Sequence, residues 1–109
     1  MTLITLTYEL ARKLPRNEDY ALKSRMCRAA GSIAANIAEG QGSWHRSVYL
    51  NHLSIARGSL KELETYILLL PRLNYAHEEE VSPIKGRLRS VTMLLNALIR
   101  SLKAPPEPR

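Results

Sequence analysis

Several things are scarce in this chain, and each scarcity removes a class of answer. One cysteine, Cys27, stands in 109 residues, so no internal disulfide is possible. Its apolar helical setting, without a neighbouring histidine or helix start to activate a thiolate, makes it a small buried filler. Phenylalanine is absent, tryptophan occurs once, and the five glycines form no phosphate-cradling loop. The three histidines, His45, His52 and His77, are too scattered for zinc, and no serine-triad motif occurs, so no metal or other cofactor is expected. No apolar run approaches the roughly 18 residues that span a bilayer. The opening "MTLITLTYELARK" lacks the basic start, long apolar run and cleavage site of a secretory leader, so a cytoplasmic, non-membrane protein is expected.

What is present is hydrophobic and basic. A hydrophobic fraction of 45% supports one modest core, and 16 Lys and Arg against 10 acidic residues give a net charge of +6 and a pI near 9.8. That balance suits a nucleic-acid partner, although solubility alone also accounts for it.

No stretch alternates with period two, and proline punctuates more than it interrupts, so the chain reads as all-α. Thr2 to Leu14 carries Leu3, Leu6, Leu10 and Leu14 at helical steps, and Pro15 stops it. A second helix begins near Asn17 or Asp19, either a possible cap, with the stripe Leu22, Met26, Ala30, Ile33 and Ile37; Gly40 and Gly42 are expected to end it in left-handed conformations. Ser43 is the candidate cap of a third helix, where Tyr49, Leu53, Ala56, Leu60, Leu63, Ile67 and Leu70 form an unbroken heptad seam. Pro71 and Asn74 turn the chain. Glu78, Glu79 and Glu80 open a fourth helix where the dipole favours carboxylates, and no histidine follows them at di-iron spacing. Its stripe is Ile84, Leu88, Val91, Leu95, Leu98 and Leu102, with Pro83 tolerated because it is expected in or before the first full turn. Short connections predict an antiparallel up-down-up-down four-helix bundle over 1–103 with a short first helix, and "APPEPR" over 104–109 as a disordered tail. That first helix is too short to cover its partners. A second stripe on the third helix, Val48, His52, Ile55, Ser59, Tyr66 and Leu69, reads as a subunit interface.

Two stretches carry a family likeness. "CRAAGSIAANIAEGQG" (Cys27 to Gly42) and "LSIARGSLKELETYI" (Leu53 to Ile67) resemble the four-helix-bundle proteins first noticed as reading frames inside intervening sequences of bacterial 23S ribosomal RNA genes, with a match from about Leu10 to Lys103. The resemblance implies a subunit of a ring-like homopentamer with a basic surface that binds nucleic acid without a settled biochemical role. It also implies a remoter kinship with the accessory variability determinant of diversity-generating retroelements, a pentamer that binds nucleic acid and a reverse transcriptase. Members usually have a longer, aromatic-rich first helix, and this chain opens midway through it.

Asn36 lies at the edge of the second helix's core stripe among small residues, which lets a neighbouring helix approach closely. Asn36, Glu39 and Gly40 are therefore expected to form a structural interface with Ser59, Glu62 or Glu64 as partners. Cations form two stripes, Lys23, Arg25 and Arg28 on the second helix and Lys85, Arg89, Arg100 and Lys103 on the fourth, with Arg57 and Lys61 a smaller cluster partly neutralised by Glu64. Neither stripe overlaps a core seam, so all nine are candidate phosphate contacts, giving salt-sensitive binding with little sequence preference. Trp44 and Tyr75 are the obvious candidates for stacking bases, and both are expected to pack at helix ends. An enzymatic alternative places Arg46 and His52 at the spacing of a helical ribonuclease superfamily, acting without metal. Their separation is about 240° on a straight helix, so the side chains diverge unless the helix starts late. A third reading is an oligomeric adaptor for a reverse transcriptase or another protein.

Overall fold

The computed structural model describes residues 2–18 and 20–104; of Thr2 only the backbone is described. The candidate cap Asp19 and the tail from 105 onward lie outside the described residues. Four helices, α1 (Thr2–Arg12), α2 (Leu22–Gln41), α3 (Arg46–Arg72) and α4 (Glu78–Lys103), with one 3-10 turn at Arg16–Glu18, form an antiparallel bundle about 57 Å long, with no strand among the described residues. Each helix packs on two neighbours: α1 on α2 and α4, α2 on α3, and α3 on α4.

The heptad seam is the centre of the core. Leu53, Ala56, Leu60, Leu63, Ile67 and Leu70 are fully buried, facing Met26, Ala29, Ala30 and Ile33 of α2 and Val81, Ile84, Leu88, Leu95 and Ile99 of α4. Leu3, Leu10, Ala11 and Leu14 close the fourth side, and buried Thr7 satisfies its hydroxyl on the Leu3 carbonyl at 2.8 Å. Ile99, not Leu98, is the buried residue near the end of α4. The cause is the length of α1, about 16 Å for its 11 residues against about 40 Å for α3. Leu98 faces the side where α1 no longer runs.

The helix ends correct several expectations. α2 starts at Leu22, later than Asn17, and Glu18 serves it from the 3-10 turn: one carboxylate oxygen accepts the Leu22 N–H at 3.3 Å and the other the Tyr75 hydroxyl at 3.0 Å. That hydrogen bond, then burial and the nearby charge, holds the Tyr75 phenol protonated above its usual range. Neither Gly40 nor Gly42 adopts a left-handed conformation: no glycine has positive φ, and Gly42 lies at φ −80°. Ser43 does not cap α3; His45 holds that position, and the Ser43 hydroxyl accepts the His45 N–H at 3.2 Å. Pro71 falls within the last turn of α3, and Pro83 sits beyond the first turn of α4. Asn74 takes the left-handed conformation, φ 62°, and the Tyr75 and Asn74 N–H groups return to the Leu70 and Pro71 carbonyls, closing α3 in a Schellman motif.

At the start of α4, Glu80 accepts the His77 N–H at 2.9 Å and pairs with Lys13 at 3.3 Å, tying α1 to α4. The His77 hydrogen bond, then Lys13, hold its carboxyl below the usual glutamate range. A depressed folded-state pKa adds stability that is present above the ordinary glutamate value and is lost as pH falls through the folded value. Glu80→Gln is therefore expected to lower the thermal midpoint at neutral pH, with the gap to wild type closing in acid. A gap independent of pH in paired melts would contradict this.

Candidate nucleic-acid interface

Two outer faces of the bundle hold most of the residues of interest, and they differ in chemistry. The first is the groove between α2 and α3. Its small residues let the helices close in, and a chain of hydrogen bonds runs along it. Asn36 Nδ2 donates to the Ser32 carbonyl at 2.9 Å and to Ser32 Oγ at 3.2 Å. Ser32 Oγ also shares a hydrogen bond with Ser59 Oγ at 2.8 Å. Asn36 Oδ1 is left facing His52 Nδ1 at 3.0 Å, so that nitrogen carries the proton, and Glu39 Oε2 stands 3.7 Å from it. Asn36 thus reaches Ser59 through Ser32, and Glu39 stands on the other side of His52, two links that sequence reasoning did not assign. The signal was available in principle, since each four-residue step along α2, from Ser32 to Asn36 to Gly40, meets α3 further back, at Ser59, His52 and Tyr49.

Gly40 belongs to this face through contact, not conformation. A Cβ placed there would lie 2.7 Å from Tyr49 Cδ1 and 3.1 Å from His52 Cβ. Glu62 also faces α2 but takes no part in the Asn36 chain: its Oε1 accepts the Tyr66 hydroxyl at 2.8 Å. That bond, then burial and the Glu62 charge, raise the Tyr66 pKa, opposed by Arg25 alongside. Arg25 and Arg28 line a shallow depression with Ser32, Ser59 and Glu62. Their charge there is partly neutralised. Glu64 is a correction: it lies on the far side of α3, in the groove with Lys85 and Arg89, out of reach of Asn36.

The second face is that α3–α4 groove, of about 260 Å³, with Ile67, Leu68, Leu88, Thr92 and Met93 between the charged residues. Beyond it Arg57 Nη1 donates to Asn96 Oδ1 at 3.4 Å, which marks the register of α4 against α3. Lys61 is one turn along α3 from Arg57, and Arg100 and Lys103 are one and two turns beyond Asn96. Arg57, Lys61, Lys85, Arg89, Arg100 and Lys103 therefore share one side of the molecule, which the sequence had split between two clusters. Lys85 also pairs with Glu78 at 3.2 Å, and Glu64 is the second carboxylate of the groove. Lys23 departs from its expected stripe: about 200° round α2 from Arg25, it is half-buried near Cys27, whose pKa burial raises and Lys23 partly lowers. As for Arg46 and His52, α3 begins at Arg46, so both lie on one continuous helix and point apart, with His52 engaged by Asn36.

Among the described residues no helix is long and apolar enough to cross a membrane. The fold and its motifs define a small all-helical bundle protein with a basic groove between α3 and α4. The chain belongs to the family of 23S rRNA-intervening sequence proteins, whose model matches residues 1–97. A solved structure from Bacteroides thetaiotaomicron VPI-5482, described as a protein with unknown function from the S23 ribosomal protein family, is similar at 26% identity and a TM-score of 0.77, covering 88% of this chain and 87% of that one. No curated protein matches in sequence.

Proposed function

We propose that this protein is a non-enzymatic, self-assembling subunit that binds RNA or DNA through phosphate contacts along the α3–α4 groove. The observation that carries this reading is the gathering of Arg57, Lys61, Lys85, Arg89, Arg100 and Lys103 on one side of the bundle, with Glu64 and Glu78 as the opposing charges. Assembly is supported by apolar surface left uncovered: Val48, Ile55 and Leu69 along the α2–α3 side, and Leu94 where α1 does not extend. The family resemblance suggests a closed pentameric ring, in which the basic grooves repeat and their fields add.

The binding expected is electrostatic. Log affinity for a labelled RNA, measured by fluorescence anisotropy, falls linearly with log salt, with a slope of about −0.9 per phosphate contacted on a duplex and about −0.7 on a single strand. Affinity indifferent to salt would overturn the proposal. The adaptor reading, with a reverse transcriptase or another protein as partner, draws support from one feature: Leu68 and Met93, 47% and 67% exposed, sit inside the charged groove and suit apolar anchors on an acidic peptide. Under that reading Met93→Ser, which removes the apolar anchor without changing charge, abolishes capture of the protein partner and leaves RNA affinity little changed.

A further inference from the structure

The chain's one tryptophan does not pack. Trp44 is 97% exposed, at the turn between α2 and α3. The turn that presents it is tied on both sides: Gly42 N–H donates to the Ala38 carbonyl, Ser43 N–H to the Gly40 carbonyl, and the His45 N–H to Ser43 Oγ. The turn is therefore structured in its backbone, and it presents the indole to solvent. Gln41, His45, Arg46 and Ser47 beside it are all exposed polar or basic residues, and Val48, 40% exposed, is the one exposed apolar residue among positions 41–48 besides the indole itself.

Charge at this end of the bundle is nearly of one sign. Neither residues 40–61 nor residues 81–104 contain an Asp or Glu. In the half that α1 does not reach, Glu39 is the one carboxylate among the described residues, and it faces His52. Arg46 follows Trp44 by two residues. The Arg57–Asn96 contact sets α4 against α3, placing Lys103 level with Leu50, about 6 Å along the bundle axis from Arg46, and Arg100 one turn below it.

We propose that this tip is a stacking site for an unpaired base of single-stranded nucleic acid, with Trp44 as the platform and Arg46, Arg100 and Lys103 holding the flanking phosphates. The site rests on the nucleic-acid reading above and narrows its ligand to strands with free bases. A planar indole among cations matches a base and its phosphates, because every base offers a π face and stacking needs no particular sequence. Bases inside a duplex have no free face, so the tip favours single strands while the α3–α4 groove accepts either.

Trp44 is its own reporter, since it alone supplies indole emission. The full-length protein is titrated with an end-labelled, mixed-sequence RNA of about 12 nucleotides, the length of one single-strand site, and with a duplex of equal length. Emission and label anisotropy are recorded together. The single strand is expected to quench the indole at the concentrations that raise anisotropy. Trp44→Ala is expected to weaken single-strand binding about tenfold, within the range one stacked base supplies, with Trp44→Tyr recovering much of the loss and duplex affinity unchanged. Single-strand binding that leaves emission unmoved, or that survives Trp44→Ala at full strength, overturns the stacking site and leaves the electrostatic reading standing. No anisotropy change with either nucleic acid overturns both. A Trp44→Ala protein whose mass by light scattering differs from wild type marks the indole as a subunit contact, and also overturns the site.

Discussion

Leu60→Ala is expected to remove about 2–5 kcal/mol of folding stability. Leu60 is fully buried at the middle of the α3 seam, and the α2 residues facing the seam include Ala29 and Ala30, whose side chains are too short to move into the space left behind. The cost is therefore the lost transfer energy of the side chain and the cavity together. For a domain of about 100 residues each kcal/mol moves the thermal midpoint by roughly 4–8 °C, and total stability is typically about 5–15 kcal/mol. The variant should melt about 8–40 °C lower, and at the upper end fail to fold at physiological temperature. Leu68→Ala, the same change on the same helix at a half-exposed position, serves as the control and should cost well under half as much. Both melts are run at one protein concentration, because self-association, where it occurs, adds to apparent stability by mass action. Equal midpoint shifts for Leu60→Ala and Leu68→Ala would show that the heptad seam is not the core.

Gly40→Val is the second large effect. An added Cβ alone meets Tyr49 Cδ1 at 2.7 Å and His52 Cβ at 3.1 Å, and these are not the free ends of flexible chains. Tyr49 packs against the core, while His52 is held by Asn36. Overpacking of this kind costs about 1–3 kcal/mol, and valine, with its branched Cβ, should fall at the upper end. Gly58→Ala and Gly86→Ala are the contrast, since nothing lies within 4 Å of either new Cβ. In a helix interior each exchange should stabilise by up to about 1 kcal/mol through propensity alone. Opposite signs at Gly40 and at Gly58 in thermal denaturation are the expected result; a neutral or stabilising Gly40→Val would show that α2 and α3 do not approach as closely as described.

The contrast among glycines also shows where the sequence was readable. Periodicity is a one-helix property, so the α3 seam, the α2 stripe and the acidic start of α4 could all be read directly, as could Asn74 in its turn. Relations between helices could not. Gly40 could be read as a helix terminator, because the chemistry of glycine does not say whether freedom of φ or absence of Cβ is being used; Tyr49 on the next helix decides it. The same holds for Glu64, which lies one residue beyond the α2-facing Leu63 direction and falls into the α3–α4 groove, and for Leu98, whose cover depends on how far α1 extends. Cations suffered the same ambiguity. Arg57 and Lys61 on one helix and Lys85, Arg89, Arg100 and Lys103 on another become one surface only once the Arg57–Asn96 contact sets the register. Trp44 was expected to pack because indoles usually do, and only the folded turn shows it turned outward.

Nucleic acid is expected to meet the α3–α4 side and not the α2–α3 side. Charge reversal separates them most directly: Arg89→Glu with Arg100→Glu on one, Arg25→Glu with Arg28→Glu on the other, each compared with wild type for the slope of log affinity against log salt. The first pair is expected to weaken RNA binding at every salt concentration and to flatten the slope by about two, roughly one per contact removed. The second pair should leave the slope as it was. Equal effects from both pairs, or a loss confined to the Arg25 and Arg28 variant, would contradict the assignment.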